Sequence, residues 1–393
     1  MKTNYRSIAA LLLTVTLVVM GQGVLNTIVP LSAKAHLLSE VEIGLLGSAY
    51  FAGMLLGALL NPAMIRRIGH VRAFTASIAV ATIAALIYTF SLNIWLWVLL
   101  RCIGGFAIAG LYATVEGWLQ AKSDNSSRGH VLAIYSIVQY AAMAGGNALL
   151  QLAAPTDFLL YAIAAVCFSL GILPMTVTEQ NAPERPSTPK LPIMWALKTC
   201  PLGVIGVFMV GLNNGPMWSL SPIFGANIGL SAADVGTMMI MMTLGSAALQ
   251  LPIGRLSDRF DRRKVAVALL LVTTLTELSL WHFGLLMPRA GLYALYFALG
   301  AVVSTQYYVL VAYTNDIAGP ARAVGIAAVM LFSYCVGAVV GPTTATTVMT
   351  WLGPSALHLH DAAVHALMAI VFIFELFRRK RKENDTPATG AQV

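Results

Sequence analysis

Long apolar runs separated by short charged segments constrain the fold of this 393-residue chain more than any other feature. Hydrophobic residues make up 58% of the chain and charged residues only 10%, whereas soluble domains are about 25% charged. Each run is close to the ~20 residues that a helix needs to cross a bilayer. We therefore predict an all-α membrane protein with twelve transmembrane helices. The predicted spans are approximately 8–30, 43–65, 73–91, 94–119, 130–152, 157–176, 201–225, 232–253, 265–287, 290–313, 322–348 and 357–377.

The distribution of basic residues predicts how these helices are oriented. Most Lys and Arg residues lie at the two termini and after the even-numbered spans, whereas the opposite side has only Lys34 and Arg289. Because basic loops stay in the cytoplasm, we expect both termini there, in a multi-pass protein of the inner (plasma) membrane. The net charge of +8 is confined to these loops and does not indicate nucleic-acid binding.

Motifs for catalysis and cofactors are missing from the sequence. No Walker loop, nucleophile–base constellation or metalloprotease helix motif occurs, so we predict neither an enzyme nor a cofactor. The four cysteines show no paired spacing, which argues against disulfides and metal sites. We expect the ionisable residues at the external entry to the last span to be solvated and to hold no metal ion. They are His358, His360, Asp361 and His365.

A charged turn between the eighth and ninth spans carries a family motif. Gly254–Lys264 packs five basic and two acidic residues into eleven positions, and it cannot lie in hydrocarbon. It resembles the Gly-x-Leu-(Ala/Ser)-Asp-Arg-x-Gly-Arg-(Arg/Lys) signature of the major facilitator superfamily, with Asp261 in place of the second glycine. The matching residues are Gly254, Leu256, Ser257, Asp258, Arg259, Arg262 and Arg263. Glu116-Gly-Trp118-Leu119 is similar to the YcaD-like bacterial permease branch.

The resemblance implies two pseudo-symmetric six-helix bundles that rock about a central solute site. A proline-rich stretch of mixed charge separates the two halves of the sequence and reads as a linker. The implied division is an N-terminal bundle at 1–177, a cytoplasmic linker at 178–200, a C-terminal bundle at 201–378 and a cytoplasmic tail at 379–393.

The resemblance also implies a cytoplasmic gate. In the family the motif aspartate caps a neighbouring helix, which places Asp258 near the start of the fifth span, around Arg128. A carboxylate near a helix N terminus contributes ~0.3–1 kcal/mol when exposed and up to ~2 kcal/mol when partly buried. The alternative is that the motif only orients the helices. The predicted gate comprises Glu116, Arg128, Gly254, Asp258, Arg259, Arg262 and Arg263.

Three ionisable residues inside apolar runs are candidates for proton coupling. Arg101 is costly in the bilayer core, so it faces a cavity or partner, or else snorkels to the outer interface. Glu116 lies fifteen residues later, about 22 Å along the same helix. It is a gate residue paired with a loop arginine, a proton carrier or a solvated group. Glu277 is a proton site or a protonated glutamate bonded to a neighbouring helix, with His282 only a loose partner.

Polar and aromatic side chains predict the solute cavity on the spans that face the centre of this fold. Amides and phenols orient a polar organic solute, while aromatic rings cover its apolar part. The alternative for each residue is a bond between helices. The predicted lining is Gln22, Asn26, Tyr50, Arg101, Gln139, Asn213, Asn214, Trp218, Gln306, Tyr307 and Tyr334.

The sequence thus predicts a monomeric, proton-coupled secondary transporter of a small organic solute. One alternative is an exporter of amphipathic compounds. Another is a non-transporting receptor or assembly factor on the same fold, which would be expected to lose its midplane charges and gate motif. This chain keeps Arg101, Glu277 and the complete second-half motif, and these features favour transport.

Overall fold

The computed structural model describes residues 5–122, 128–176, 191–319 and 322–385. These residues form fourteen α helices, one 3-10 turn and no strand. In chain order the helices are α1 (Tyr5–Ala35), α2 (Glu40–Ile68), α3 (His70–Ile87), α4 (Ile94–Lys122), α5 (Arg128–Ala148), α6 (Phe158–Leu170), α7 (Leu173–Thr176), α8 (Ile193–Thr199), α9 (Pro201–Asn227), α10 (Ala232–Arg259), α11 (Arg262–Phe283), α12 (Arg289–Ala318), α13 (Ala323–Leu352) and α14 (Ala356–Asp385).

Each of the twelve predicted spans coincides with a helix, namely α1–α6 and α9–α14. Within the described ranges, nine helices are long and apolar enough to cross a bilayer, or ten if α8 and α9 count as one span bent by 111°. Helix α6 has 13 residues and is shorter than the predicted span 157–176, because the helix stops at Leu170 and α7 resumes at Leu173. The all-α membrane fold is confirmed.

Alternating helix directions give the molecule two ends. We call the end at which α1 begins and α14 ends the terminal face. The opposite end, which carries the α1–α2 and α9–α10 turns, is the far face. The first of these turns ends at Ser39 and the second at Ser231.

The second helix of each predicted bundle begins with the same capping device. At the start of α2, the Ser39 hydroxyl accepts from the Glu42 N–H, and the Glu42 carboxylate accepts from the Ser39 N–H at 2.8 Å. At the start of α10, Ser231 and Asp234 make the reciprocal pair of bonds at 3.2 and 3.3 Å. Such capping boxes satisfy otherwise unpaired N–H groups. Their matching positions are an internal repeat on the far face.

Helices from the first six spans contact helices from the last six mainly through three pairs, α2 with α13, α5 with α10, and α1 with α9. The described contacts of these pairs concentrate near the far face. The Ser48 and Thr343 hydroxyls are 3.1 Å apart. In the α5–α10 pair, Gly236 packs so close to α5 that an added Cβ would lie 2.7 Å from the Asn147 carbonyl oxygen. Helix α2 also meets α9 there, since Asn227 donates to Glu40 at 2.8 Å. The two sets of helices are therefore joined at the far face.

Candidate functional site

A cavity lies where the first six and last six spans meet. Two adjoining spaces that share Tyr140 and Trp218 have volumes of about 330 Å³ and 270 Å³. The wall residues from the N-terminal helices are Val19, Gln22, Asn26, Tyr50, Phe51, Met54, Tyr112, Glu116, Gln139, Tyr140 and Met143. Those from the C-terminal helices are Asn214, Trp218, Ser304, Tyr307, Tyr308, Leu331 and Tyr334. We call this space the central cavity.

The N-terminal wall carries a chain of hydrogen bonds between α1, α2 and α4. The Tyr112 hydroxyl donates to the Gln22 side-chain oxygen at 2.6 Å. The Gln22 amide nitrogen in turn donates to the Tyr50 hydroxyl at 2.8 Å. Tyr112 was not predicted as a lining residue, because a lone tyrosine in an apolar helix gives no signal of the direction in which it points. This chain holds Gln22 and Tyr50 in fixed orientations at the cavity wall.

Arg101 lies at the closed end of this wall, with its side chain buried. Its Nη1 donates to Asn26 Oδ1 at 3.2 Å, and its Nε approaches the Leu46 carbonyl oxygen at 3.5 Å. The guanidinium carbon lies 4.6 Å from the centre of the Tyr50 ring, in a cation–π contact. The side chain faces a second, much smaller cavity of about 30 Å³. Arg101 therefore turns inward and does not snorkel to an interface.

Glu116 lines the central cavity near the terminal-face end of α4. Its Oε1 accepts a hydrogen bond from the Tyr135 hydroxyl of α5 at 3.1 Å. The described partner is thus a phenol of a neighbouring helix and not one of the loop arginines suggested by the sequence. Glu116 and Tyr112 are four residues apart on α4, so the carboxyl lies one turn from the Tyr112–Gln22–Tyr50 chain.

The C-terminal wall is mainly aromatic. The Tyr307 ring packs edge-on against Tyr334, with centroids 5.5 Å apart, and against Tyr308 at 5.7 Å. Tyr308 is half exposed, whereas Asn214 lines the same wall with little exposed surface. Such a surface can cover the apolar part of an organic solute and bond to its polar groups through phenol and amide groups.

Two predicted lining residues point elsewhere. The Asn213 amide nitrogen lies 3.0 Å from His365 Nδ1, so its side chain faces α14. The Gln306 amide nitrogen donates to the Thr273 hydroxyl of α11 at 2.8 Å. Both were predicted to line the cavity, and that prediction is wrong. Successive residues on a helix point about 100° apart. Because Asn214 and Tyr307 face the cavity, their neighbours Asn213 and Gln306 face other helices.

Glu277 belongs to a buried cluster outside the central cavity. Its Oε2 lies 2.6 Å from Nδ1 of His358, on α14, and Nε2 of His358 lies 3.2 Å from the Tyr296 hydroxyl. In the same region, Asp361 Oδ1 lies 2.8 Å from His360 Nδ1. The partner of Glu277 is therefore His358 rather than His282.

The histidines at the start of α14 are not solvated as predicted. The side chains of His358, Asp361 and His365 are each about 1% exposed, because α14 packs against α11 and α9. Over the described residues, no group of three or more His, Cys, Asp or Glu side chains is arranged to hold a metal ion.

The gate motif forms ion pairs within the last six spans. Arg262 bridges Asp258 of α10 at 3.1 Å and Asp316 of α12 at 2.7 Å. The side chains of both carboxylates are largely exposed, at 68% and 60%. Gly254 and Arg259 are also exposed at this turn. Arg128 begins α5, but its side chain lies outside the described part of the chain, so the predicted approach of Asp258 to this helix stays a prediction.

Asp261, which replaces the family glycine, begins α11. Its Oδ1 accepts from the Arg263 N–H at 2.9 Å, and the Arg263 guanidinium forms two further bonds to the carboxylate at 3.0 and 2.7 Å. These hydrogen bonds from the Arg263 side chain hold the pKa of Asp261 below its usual value. The substitution gives the turn a helix cap fixed by an arginine.

Among the described residues, contacts between the two sets of helices close the cavity at one end. The α2–α13, α2–α9 and α5–α10 contacts join the two sets at the far face. Toward the terminal face, Glu116 lines the cavity and Asp258 is exposed. Over the described residues, the central cavity is therefore bounded at the far face and not at the terminal face.

Comparison with known proteins gives one family. The family model described as Major Facilitator Superfamily matches residues 11–198 and 203–392. A relative from Shigella flexneri serotype 5b (strain 8401), described as an uncharacterized MFS-type transporter YcaD, is 27% identical over 396 residues. The alignment covers 100% of both chains.

Solved structures show the same fold. A mutant of the nucleoside transporter NupG aligns with a TM-score of 0.80 at 11% identity, over 93% of this chain and 99% of that one. A D-xylose-proton symporter aligns with a TM-score of 0.74 at 13% identity, over 94% of this chain and 97% of that one.

Proposed function

Because the chain belongs to the Major Facilitator Superfamily, a family of transporters and not of enzymes, we propose that it is a proton-coupled secondary transporter of a small organic solute. The observation that carries the proposal is the central cavity, which among the described residues is closed at the far face and not at the terminal face. Rocking of the two halves about such a site would open the far face and close the other.

Glu116 is the proton carrier in this proposal. Among the described lining residues of the central cavity it is the only carboxylic acid. Its described hydrogen bond, from the Tyr135 hydroxyl to Oε1, joins α4 to α5 and leaves the second carboxyl oxygen without a described partner. Glu277 is turned away from the cavity and bonded to His358, which supports a role in holding α11 to α14.

The gate proposal rests on the exposed carboxylates at the terminal face. Asp258 and Asp316 share Arg262, and 68% and 60% of their side chains are exposed. When the terminal face closes, these carboxylates become available to the opposite bundle, including the start of α5. The basic loops on this face support a cytoplasmic location for both termini, in the inner membrane.

The test is transport by proteoliposomes that contain a pH-sensitive dye, under an imposed proton gradient and with a panel of metabolites and amphipathic compounds. We expect proton influx that depends on one class of solute. Glu116→Gln should abolish proton movement but preserve solute exchange, because the amide keeps the shape of the carboxyl and cannot release a proton. Glu277→Gln, the matched carboxyl outside the cavity, should keep both. Loss of exchange together with proton movement in Glu116→Gln would make Glu116 a gate residue and not a carrier.

A further inference from the structure

The cavity beside Arg101 lies deeper than the central cavity and joins it. Both are lined by Gln22, Asn26 and Tyr50, so these three side chains stand between a solute in the central cavity and Arg101. The deeper space has a volume of about 30 Å³, which is enough for a carboxylate group but not for a whole organic solute. We call it the Arg101 cavity.

Arg101 has no acidic partner among the described residues. In the described part of the N-terminal half, each carboxylate has a different partner. Glu42 caps α2 with Ser39, Asp157 accepts from the Leu159 N–H at 2.9 Å, Glu40 accepts from Asn227 and Glu116 accepts from Tyr135. Glu116, on the same helix, is about 22 Å away along the axis.

A buried cation without a counterion is expensive. The Arg101 side chain is 5% exposed, and its described contacts are an amide oxygen, a carbonyl oxygen at the limit of hydrogen bonding and an aromatic ring. These neutral partners offset only part of the cost of removing the charge from water. A guanidinium has five N–H donors, and the described hydrogen bonds use two of them. The remaining donors are available to an anion.

Space for that anion lies next to the guanidinium. Gly104 lines the cavity one helical turn after Arg101, and an added Cβ at Gly104 would meet no atom within 4 Å. The adjacent Gly105, in contrast, packs directly against the Tyr50 backbone. Gly104 therefore leaves the cavity open beside Arg101 and is not required for close packing of α4.

The two adjoining spaces together suit an organic anion with an apolar body. The Arg101 cavity has room for the carboxylate, and the aromatic side chains of the central cavity can cover the apolar part. From this juxtaposition we infer that the transported solute is a small organic anion whose carboxylate binds the Arg101 guanidinium. A planar guanidinium matches a carboxylate with two parallel hydrogen bonds. The inference rests on the proposed transport function and adds the substrate class.

Thermal unfolding of the purified full-length protein in detergent tests the inference. The probes are benzoate, acetate and phenyl phosphate, with benzamide as the neutral isostere and sodium chloride at equal ionic strength. Benzoate should raise the melting temperature in a concentration-dependent way, since a ligand that binds only the folded state stabilises it. Benzamide and sodium chloride should not. A response to phenyl phosphate alone would overturn the carboxylate assignment.

Three variants locate the site. Arg101→Gln should lose the benzoate response, and Gly104→Leu should lose it with the charge intact because the leucine fills the cavity. Arg289→Gln, a change to an exposed arginine on the far face, should keep it. If Arg101→Gln does not fold, Gly104→Leu carries the test. An equal response to benzamide and benzoate, a full benzoate response in a folded Arg101 or Gly104 variant, or no response to any anion would overturn the inference.

The outcomes also separate this inference from the transport proposal. Transport of a neutral or cationic solute, with no anion response, would leave the transporter standing and remove Arg101 as an anion site. Binding of benzoate at Arg101 without flux of benzoate or any other solute in proteoliposomes would keep the site and remove the transport function.

Discussion

The Glu277–His358 pair gives the sharpest prediction about stability. Both side chains are about 1% exposed, and the 2.6 Å contact joins α11 to α14 across 81 positions of sequence. Glu277→Ala would leave His358 Nδ1 buried without its partner. The unsatisfied imidazole costs about 1–3 kcal/mol and the cavity left by the removed side chain adds about 2 kcal/mol, so the expected loss is about 3–5 kcal/mol.

Glu277→Gln should cost much less. The amide has nearly the shape of the carboxyl and can still bond to a neutral imidazole, so the expected loss is that of one altered hydrogen bond, about 0.5–1.5 kcal/mol. The expected difference between the two variants is therefore about 2–4 kcal/mol. Thr276→Ala is the matched control, because that neighbouring hydroxyl bonds only to the Val272 carbonyl of its own helix at 2.9 Å.

Unfolding of each variant in mixed micelles by titration with sodium dodecyl sulfate measures these free energies. A loss as large in Glu277→Gln as in Glu277→Ala would mean that the pair requires an ionised carboxylate. If Glu277→Gln is as stable as the unaltered chain but fails to couple protons, Glu277 is a coupling residue and the assignment to Glu116 is wrong.

Two further predictions concern the packing of α4 and the cap of α11. Gly105→Ala should prevent accumulation of folded protein, because its Cβ would overlap the Tyr50 carbonyl oxygen and lie 3.0 Å from the Met54 nitrogen. Gly104→Ala, the control, should accumulate normally because its Cβ would meet no atom within 4 Å. Similar yields of the two variants in membranes would contradict this packing of α4 against α2. Asp261→Ala should destabilise the protein by about 0.5–2 kcal/mol through the lost cap. Because folding lowers the pKa of Asp261 below its ordinary value of 3.8, this stabilisation is complete above that pH and is lost as the pH falls through the folded pKa. The free energies of unfolding of Asp261→Ala and of the unaltered protein should therefore differ less at pH 3 than at pH 7. An equal difference at both pH values would contradict the role of the Asp261 carboxylate as a helix cap.

The helices were predictable from the sequence because hydrocarbon imposes one rule on every span. A segment that crosses the bilayer must be long, apolar and internally hydrogen-bonded. The charged turn at Gly254–Lys264 was equally clear, since residue type and spacing identify it. The substitution of Asp261 in that turn was visible as well, but its role as the cap of α11 required the position of Arg263.

The direction of each polar side chain was not predictable to the same degree. Asn213 and Asn214 are neighbours with the same chemistry, yet one faces His365 and the other the central cavity. An apolar helix in a membrane has no solvated face, so its hydrophobic pattern does not reveal which side faces a cavity. Partners distant in sequence, such as Glu277 and His358, likewise depend on how the helices assemble.

The most direct test of alternating access is the distance between spin labels across each face, measured by double electron–electron resonance. Val71 and Phe260 are exposed near the terminal face, and Leu37 and Leu286 are exposed near the far face, one of each pair in each half. Rocking about the central cavity predicts that Glu116→Gln, a fixed mimic of the protonated carboxyl, shifts the population so that the Val71–Phe260 distance shortens while the Leu37–Leu286 distance lengthens. Distances that stay fixed, or that change in the same direction at both faces, would contradict rocking about the central cavity.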